Sequence, residues 1–436
     1  MSAPLHGLSL AAAARAIGDG TISSEDYTRA LLERIAASDA NVLAWAHLDS
    51  AAALEAARKL DRERAAGVID GPLAGIGIGV KDIVATADQP TQMGSPIYAG
   101  AQPPFDAECI ARLRRAGAFA LGKTVTTEFA FLHPGKTRNP WSAAHTPGGS
   151  SSGSAAAVAL GHVPAAIGTQ TNGSMIRPAA YCGVVGFKPT LDALPFDGVN
   201  RFSRTLDTLG VFARCVEDCA LLAACLADSG RIAPTPAASS APRIAFLAAF
   251  PWVATGAEQA RAMSAAVAAL SAAGARVEEL SLPEGWRDAH RCLRTIMLHE
   301  GAQALASLQD NERGRMSAKL DAALDEGRAV AEPTYRAALA ERQTRIEQAR
   351  AWLAPFDAVV SPPAPDAAPA DLTQTGDPAC CTLWSLLGAP ALSLPIALGA
   401  NGLPLGLQLS ALPGDDERLL AVARWCEERL PFRGLL

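Results

Sequence analysis

No dense run of lysine or arginine occurs anywhere in this 436-residue sequence, so nucleic-acid or anionic-membrane binding has no electrostatic support. No apolar stretch reaches the length of a membrane span. Met1 to Asp19 carries no positive residue ahead of its apolar part, and Arg15 and Asp19 interrupt it; neither a spanning helix nor a secretory signal is read there, and the expectation is a soluble cytoplasmic protein. The seven histidines form no HxxxH or HxH pair, which weakens any metal-hydrolase reading. The nine cysteines are odd in number and spread along a long chain, which argues against a disulfide framework. Cys215 and Cys219, four apart, lack a second ligand pair nearby and read as small buried apolar residues. Gly75, Gly77 and Gly79 lack the helix and acidic residue of a dinucleotide fingerprint, and no internal repeat is visible.

What is present supports a large core: 49% hydrophobic against 19% charged residues, with a formal net charge of −6. Length allows two or three domains or one large α/β domain. Ser24 to Ala37 has the capping and periodicity of an amphipathic helix. Leu73 to Val84 is strand-like, Glu108 to Ala116 helical, and Ala118 to Leu121 a short strand leading into Gly122–Lys123–Thr124. Such alternation continues to about residue 225 and predicts α/β layers, with a mixed, mostly parallel central sheet covered by helices on both faces. The expected organisation is one domain over 1–436: an N-terminal helical part (1–65), a catalytic core (66–228), a Pro/Ala/Ser-rich connector (229–242), and the rest of the sheet with substrate-pocket helices (243–436).

The stretch from Pro147 to Pro189, PGGSSSGSAAAVALGHVPAAIGTQTNGSMIRPAAYCGVVGFKP, carries the chemistry. Gly148–Gly149 before three serines makes a tight turn with hydroxyls on display, and Thr169 to Ser174 makes a second. Each stands beside an expected helix start. Acyl transfer needs this arrangement: a nucleophile on a sharp turn, and successive backbone N–H groups converging on a developing oxyanion. A hydroxyl is a poor nucleophile without a base. No histidine is an obvious partner, whereas Lys81 is one charge in an apolar, glycine-rich strand, where burial lowers its pKa and lets it act as a neutral base.

This region resembles the amidase signature family, whose hallmark is a Gly-Gly-Ser-Ser-rich turn followed some two dozen residues later by a Gly-Thr-x-x-x-Gly-Ser segment. GIGIGVKD (75–82), CGVVGFKPT (182–190), TLDTLGVFARCVEDCALL (205–222) and GAPALSLPIALGANGLPLGLQL (388–409) are similar to further family segments, in the expected order. The resemblance implies an amidase cutting the C–N bond of a small linear amide through an acyl-enzyme on Ser174. Ser150, held by a cis peptide bond, would relay the proton and Lys81 would accept it. The backbone N–H groups of Thr171, Asn172, Gly173 and Ser174 would hold the oxyanion. No cofactor or metal is implied; a homodimer is one arrangement open to it.

Three positions depart from the family pattern. Asn172 stands where glycine is usual, Gln170 replaces an acidic residue, and the arginine common two residues after the nucleophile is Arg177, three after. The nucleophile segment is closest to a malonamidase-like branch. Arg177 and Gln170 are therefore the candidate substrate contacts, with Arg177 read either as a ligand for a substrate carboxylate or as a structural carbonyl-binding residue. Segments 285–340 and 365–385, with Met297 and Trp384, are expected to shape the pocket, and His133 and His145 flank it. Asp82 is read as a local ion pair, Asp207 as a support, Ser151 and Ser152 as auxiliary hydrogen-bonders. GSSSG at 149–153 also matches a nucleophile elbow, but the polar, Pro-broken residues ahead of it supply no strand. Other readings are the glutaminase-like component of a tRNA-dependent amidotransferase and a low-activity member kept as a binding protein.

Overall fold

The computed structural model describes residues 4–68, 71–233 and 237–435; the middle of the connector lies outside them. Among the described residues eleven strands form one sheet: β1 (Trp45–His47), β2 (Gly77–Lys81), β3 (Phe119–Thr124), β4 (Ala165–Gln170), β5 (Val185–Lys188), β6 (Thr208–Ala213), β7 (Arg243–Phe246), β8 (Arg276–Glu279), β9 (Ala358–Ser361), β10 (Ala391–Leu398) and β11 (Pro404–Ser410). Their order is β1-β3-β2-β4-β6-β5-β10-β11-β9-β7-β8. Strands from both sides of the connector thus share one sheet, joined where β5 pairs with β10.

The expectation of a mostly parallel sheet is corrected. Six of the ten strand pairings are antiparallel and four parallel. Parallel neighbours need a crossover, usually a helix. β5 and β6 are joined without an α-helix, and β10 turns into β11 through residues 399–403. β6 sits between β4 and β5, antiparallel to both, so the helix linking β4 to β5 (Ile176–Cys182) spans a gap of one strand.

Both faces are covered, as side-chain alternation shows. On β4, Ala165 and Ile167 join one hydrophobic cluster while Ala166 joins another; on β6, Leu209 and Val211 part from Phe212 in the same way. The first face packs against Cys219, Leu222 and Ala223 of the helix Val216–Leu226. The second packs against the helix Ser152–Ala159, buried at every residue and built from Ser, Gly, Ala and one Val. Such small side chains let it lie against backbone: a Cβ on Gly153 would stand 2.2 Å from the Ala44 carbonyl oxygen and 2.3 Å from the Val125 nitrogen. The amphipathic helix near the N-terminus runs Ser24–Ser38, with Ser23 accepting from the Asp26 N–H and Tyr27, Leu31 and Ile35 buried, as the capping pattern dictates.

All nine cysteines are free thiols, seven of them buried, with Cys215 and Cys225 partly exposed. Among the described residues no helix is long and apolar enough to cross a membrane, and no group of three or more His, Cys, Asp or Glu could hold a metal.

Candidate active site

Lys81 ends β2, between β3 and β4. The glycines around it leave no side chain to screen the strand, yet the lysine is fully buried. Its Nζ lies 2.7 Å from Ser150 Oγ, 2.7 Å from Thr169 Oγ1 and 3.4 Å from the Thr169 carbonyl. Burial pushes its pKa down to about 7, with the carboxylate of Asp207 pulling weakly the other way.

Ser150 sits in the turn ahead of the helix Ser152–Ala159, and the Gly149–Ser150 peptide is cis. The Ser150 carbonyl accepts from the Thr127 N–H at 3.2 Å. Gly148 has φ +82, and a Cβ there would meet Pro178 at 2.8 Å, so both the turn and its close packing call for glycine. The segment before Ser150 is loop, not strand, so the elbow arrangement is absent. Ser151 Oγ donates to the Thr169 carbonyl and accepts from the Thr169 N–H, and Ser152 Oγ donates to the Val125 carbonyl. These two serines are held by backbone.

Ser174 lies in the turn between β4 and the helix Ile176–Cys182 and is 9% exposed. Its Oγ has no hydrogen-bond partner among the described residues, nor do the N–H groups of Asn172 and Gly173 and of Ser174 itself. Thr171 is tied down differently: its hydroxyl donates to Asp207 at 2.6 Å, while Asp207 also accepts from the Phe202 and Ser203 N–H groups. Burial raises the Asp207 pKa to about 6 against those hydrogen bonds. Asn172 adopts no left-handed backbone; its side-chain oxygen accepts from Thr382 at 3.1 Å and its carbonyl from Ser385 at 2.5 Å.

Gln170 faces away from any open space. Its Oε1 caps the Met175 and Ile176 N–H groups, and its Nε2 donates to Ser385, satisfying donors that a helix start leaves bare. Arg177 is 2% exposed. Its Nη2 donates to the Gly149 carbonyl at 2.7 Å and Thr375 Oγ1 at 3.0 Å, and its Nε donates to the Thr375 carbonyl at 2.7 Å. Nη1 is buried without an acceptor among the described residues, close to Gly173, where a Cβ would stand 3.0 Å from it. Asp82 lies 3.8 Å from Lys123 and accepts from the Gln92 N–H. His145 bonds Ser142 and His133 is exposed; neither hydrogen-bonds Lys81, Ser150 or Ser174.

A cleft of about 480 Å³ adjoins the two serine turns. Its walls come from both expected pocket segments, including Arg294, Lys319 and Glu326 on one and Gln374, Thr375 and Pro378 on the other, and from Phe131 and Leu132. Thr375 Cγ2 would be 2.7 Å from a Cβ on Gly149, and Pro378 Cβ 3.0 Å from one on Gly173, so the cleft wall touches both turns. Trp384 is corrected to a core residue: it is fully buried and its indole donates to Ser361. Met297 is partly buried and packs against two core clusters. Sequence reasoning missed Thr169, Thr127 and Thr375. Thr169 stood inside the Gly-Thr-x-x-x-Gly-Ser hallmark; Thr375, two hundred residues on in chain order, carried no signal.

The chain resembles known proteins over almost its whole length. The family model described as Amidase matches residues 26–420. The A component of the Glutamyl-tRNA(Gln) amidotransferase of Salinispora arenicola is 36% identical over 98% of this chain and 98% of its own length. That of Roseiflexus castenholzii is 34% identical, over 96% and 95%. Among solved structures, one described as an amidase superposes with a TM-score of 0.87 at 33% identity, covering 97% of this chain and all of its own. The peptide amidase of Stenotrophomonas maltophilia gives 0.85 at 29%, covering 98% of each. With the family model spanning most of its length and full-length relatives above 30% identity, this chain belongs to the amidase family, whose members hydrolyse C–N bonds.

Proposed function

We propose that this protein hydrolyses a small linear amide through an acyl-enzyme on Ser174, with Ser150 as proton relay and Lys81 as base. The observation that carries this reading is the 2.7 Å contact between Lys81 Nζ and Ser150 Oγ inside a buried site. A neutral lysine has two N–H donors and one lone pair. The Thr169 hydroxyl and carbonyl take the donors, leaving the lone pair for the Ser150 proton. Ser150 Oγ, having given up that proton, takes one from Ser174, whose oxygen attacks the amide carbonyl carbon. Negative charge gathers on the carbonyl oxygen, near the N–H groups of Asn172, Gly173 and Ser174, with Thr171 anchored on Asp207. As the C–N bond breaks, the leaving nitrogen takes a proton from Ser150, resupplied by Lys81. Water then repeats the sequence on the ester, freeing the acid and Ser174.

The test is Ser174→Ala on a panel of amides with ammonia release as the readout, where kcat should fall by at least about 10³-fold. A fluorophosphonate should label the wild type at Ser174 alone; full activity in Ser174→Ala would overturn the reading. That the amide carries a carboxylate, as for the malonamidase-like branch, rests on Nη1 of Arg177, a buried donor beside Gly173 with no acceptor among the described residues. A lower KM for carboxylated amides than for their neutral counterparts supports it; equal values reject it. A second reading, the glutamine-hydrolysing component of a tRNA-dependent amidotransferase, is favoured by the full-length relatives of that name. Glutamine hydrolysis that appears only with partner proteins of such a complex would establish it in place of the first.

A further inference from the structure

Arg177 is a buried cation with no carboxylate within ion-pair distance among the described residues. Burying an unneutralised guanidinium is costly, and here the neighbours that satisfy it are all uncharged. One is the Gly149 carbonyl, the oxygen of the very peptide whose nitrogen belongs to Ser150. The others are the carbonyl and hydroxyl of Thr375. Ser150 is thus held from three directions: at its side chain by Lys81 from β2, at its carbonyl by the Thr127 N–H from the loop after β3, and at its preceding peptide by Arg177 from the helix after Ser174. Of these three, the third connection reaches the loop 371–378, which supplies Gln374, Thr375, Gly376 and Pro378 to the wall of the cleft beside the serine turns. Within that loop Thr375 is buried, whereas Leu372, Thr373, Gln374 and Asp377 are exposed. Thr375 is therefore the buried anchor on the Arg177 side, beside the Gln374 carbonyl, which accepts from Thr146, and the Thr373 carbonyl, which accepts from Lys319.

We propose, resting on the amidase reading above, that Arg177 is a positioning residue: its guanidinium clamps the Gly149–Ser150 peptide to Thr375 and thereby fixes the direction of Ser150 Oγ between Lys81 and Ser174. The fork geometry matters. Nε and Nη2 diverge at a fixed angle and serve the two sites at once; a lysine ammonium is a point charge and cannot reproduce both contacts. The clamp joins the relay to the wall that the acyl group would rest against.

A double-mutant cycle on the full chain tests this, with acetamide, hexanamide and benzamide as substrates. None bears a carboxylate, so a carboxylate contact at Nη1 cannot contribute. Ser174→Ala is measured first; retained activity there would overturn the amidase reading and this proposal with it. Arg177→Gln should lower kcat about 10- to 100-fold with KM within about threefold. In a Ser150→Ala background the same change should cost less than about twofold, because the group it positions is gone. Thr375→Val, which keeps the carbonyl contact and removes the hydroxyl, should lower kcat by about three- to tenfold without moving the melting temperature. Equal costs of Arg177→Gln in the two backgrounds, or an effect on KM alone, would overturn the positioning role while leaving the amidase reading intact. If Arg177→Gln does not fold, Arg177→Lys and Thr375→Val complete the cycle with Ser150→Ala: loss confined to the background that keeps Ser150 sustains the proposal, and equal loss in both overturns it.

Discussion

At the scale of single residues, the proposed mechanism depends on one amine being uncharged. Lys81 accepts a proton only when neutral, and its surroundings place its pKa at about 7 instead of the ordinary 10.5. On this reading kcat/KM should climb as pH rises through about 7 and level off above it, approaching a tenfold loss for each unit below. Lys81→Met should abolish the climb together with most of the activity, a drop of about 10³-fold or more. Pre-steady-state and steady-state rates on a neutral amide between pH 5.5 and 9 check both; a flat profile through pH 7 would exclude Lys81 as the base. The sequence showed the lysine in an apolar, glycine-rich strand, and that was enough to single it out. It did not show which side chains would share the amine, because Thr169 reaches Lys81 through pairing of β2 with β4, a contact between residues nearly ninety positions apart.

Elements explain why two loops can be held so closely. The helix Ser152–Ala159 has no polar face to solvate and no large side chain to keep neighbours away, so it packs directly on the backbone at Ala44 and Val125. Gly153→Ala should therefore destabilise the fold by at least about 2 kcal/mol, since the added methyl would displace backbone and not a flexible side chain. Urea denaturation reads this directly, and a midpoint unchanged within error would mean that the helix can shift outward. Helices and strands were largely legible as local patterns: the helix from Ser24 and the strand-like segments Leu73 to Val84 and Ala118 to Leu121 fall within a few residues of the observed bounds. Strand direction was not. Alternating strand and helix signals suggest crossovers, but nothing local in Val185–Lys188 or Thr208–Ala213 says that β6 will insert between β4 and β5. The same limit applies to the site. The two serine turns were readable from glycine and serine spacing, whereas Thr375 joins them from a distant loop whose position depends on the finished fold.

For the whole molecule, continuity of the sheet across the connector means that both halves contribute to one core, and buried ionisable groups in each half make stability depend on pH. Three fully buried lysines, Lys81, Lys123 and Lys188, have pKa values lowered by burial to about 7, 8 and 7 from 10.5. Between those values and 10.5 the unfolded chain binds more protons than the folded one, so stability rises with pH. Above about 9 the sign reverses: burial raises the pKa of every cysteine, so the folded state keeps protons that the unfolded state sheds. Thermal melts should peak between about pH 8 and 9 and fall on either side down to about pH 7 and up to about pH 10. A melting temperature that declines steadily from pH 7 upward would contradict the lowered lysine values. The hidden thiols also amount to a built-in clock. A thiol-reactive dye added to the native enzyme should stain Cys215 and Cys225 early and reach the other seven only during rare openings, so the pace of late staining reports how often the molecule breathes, with no engineered probe required.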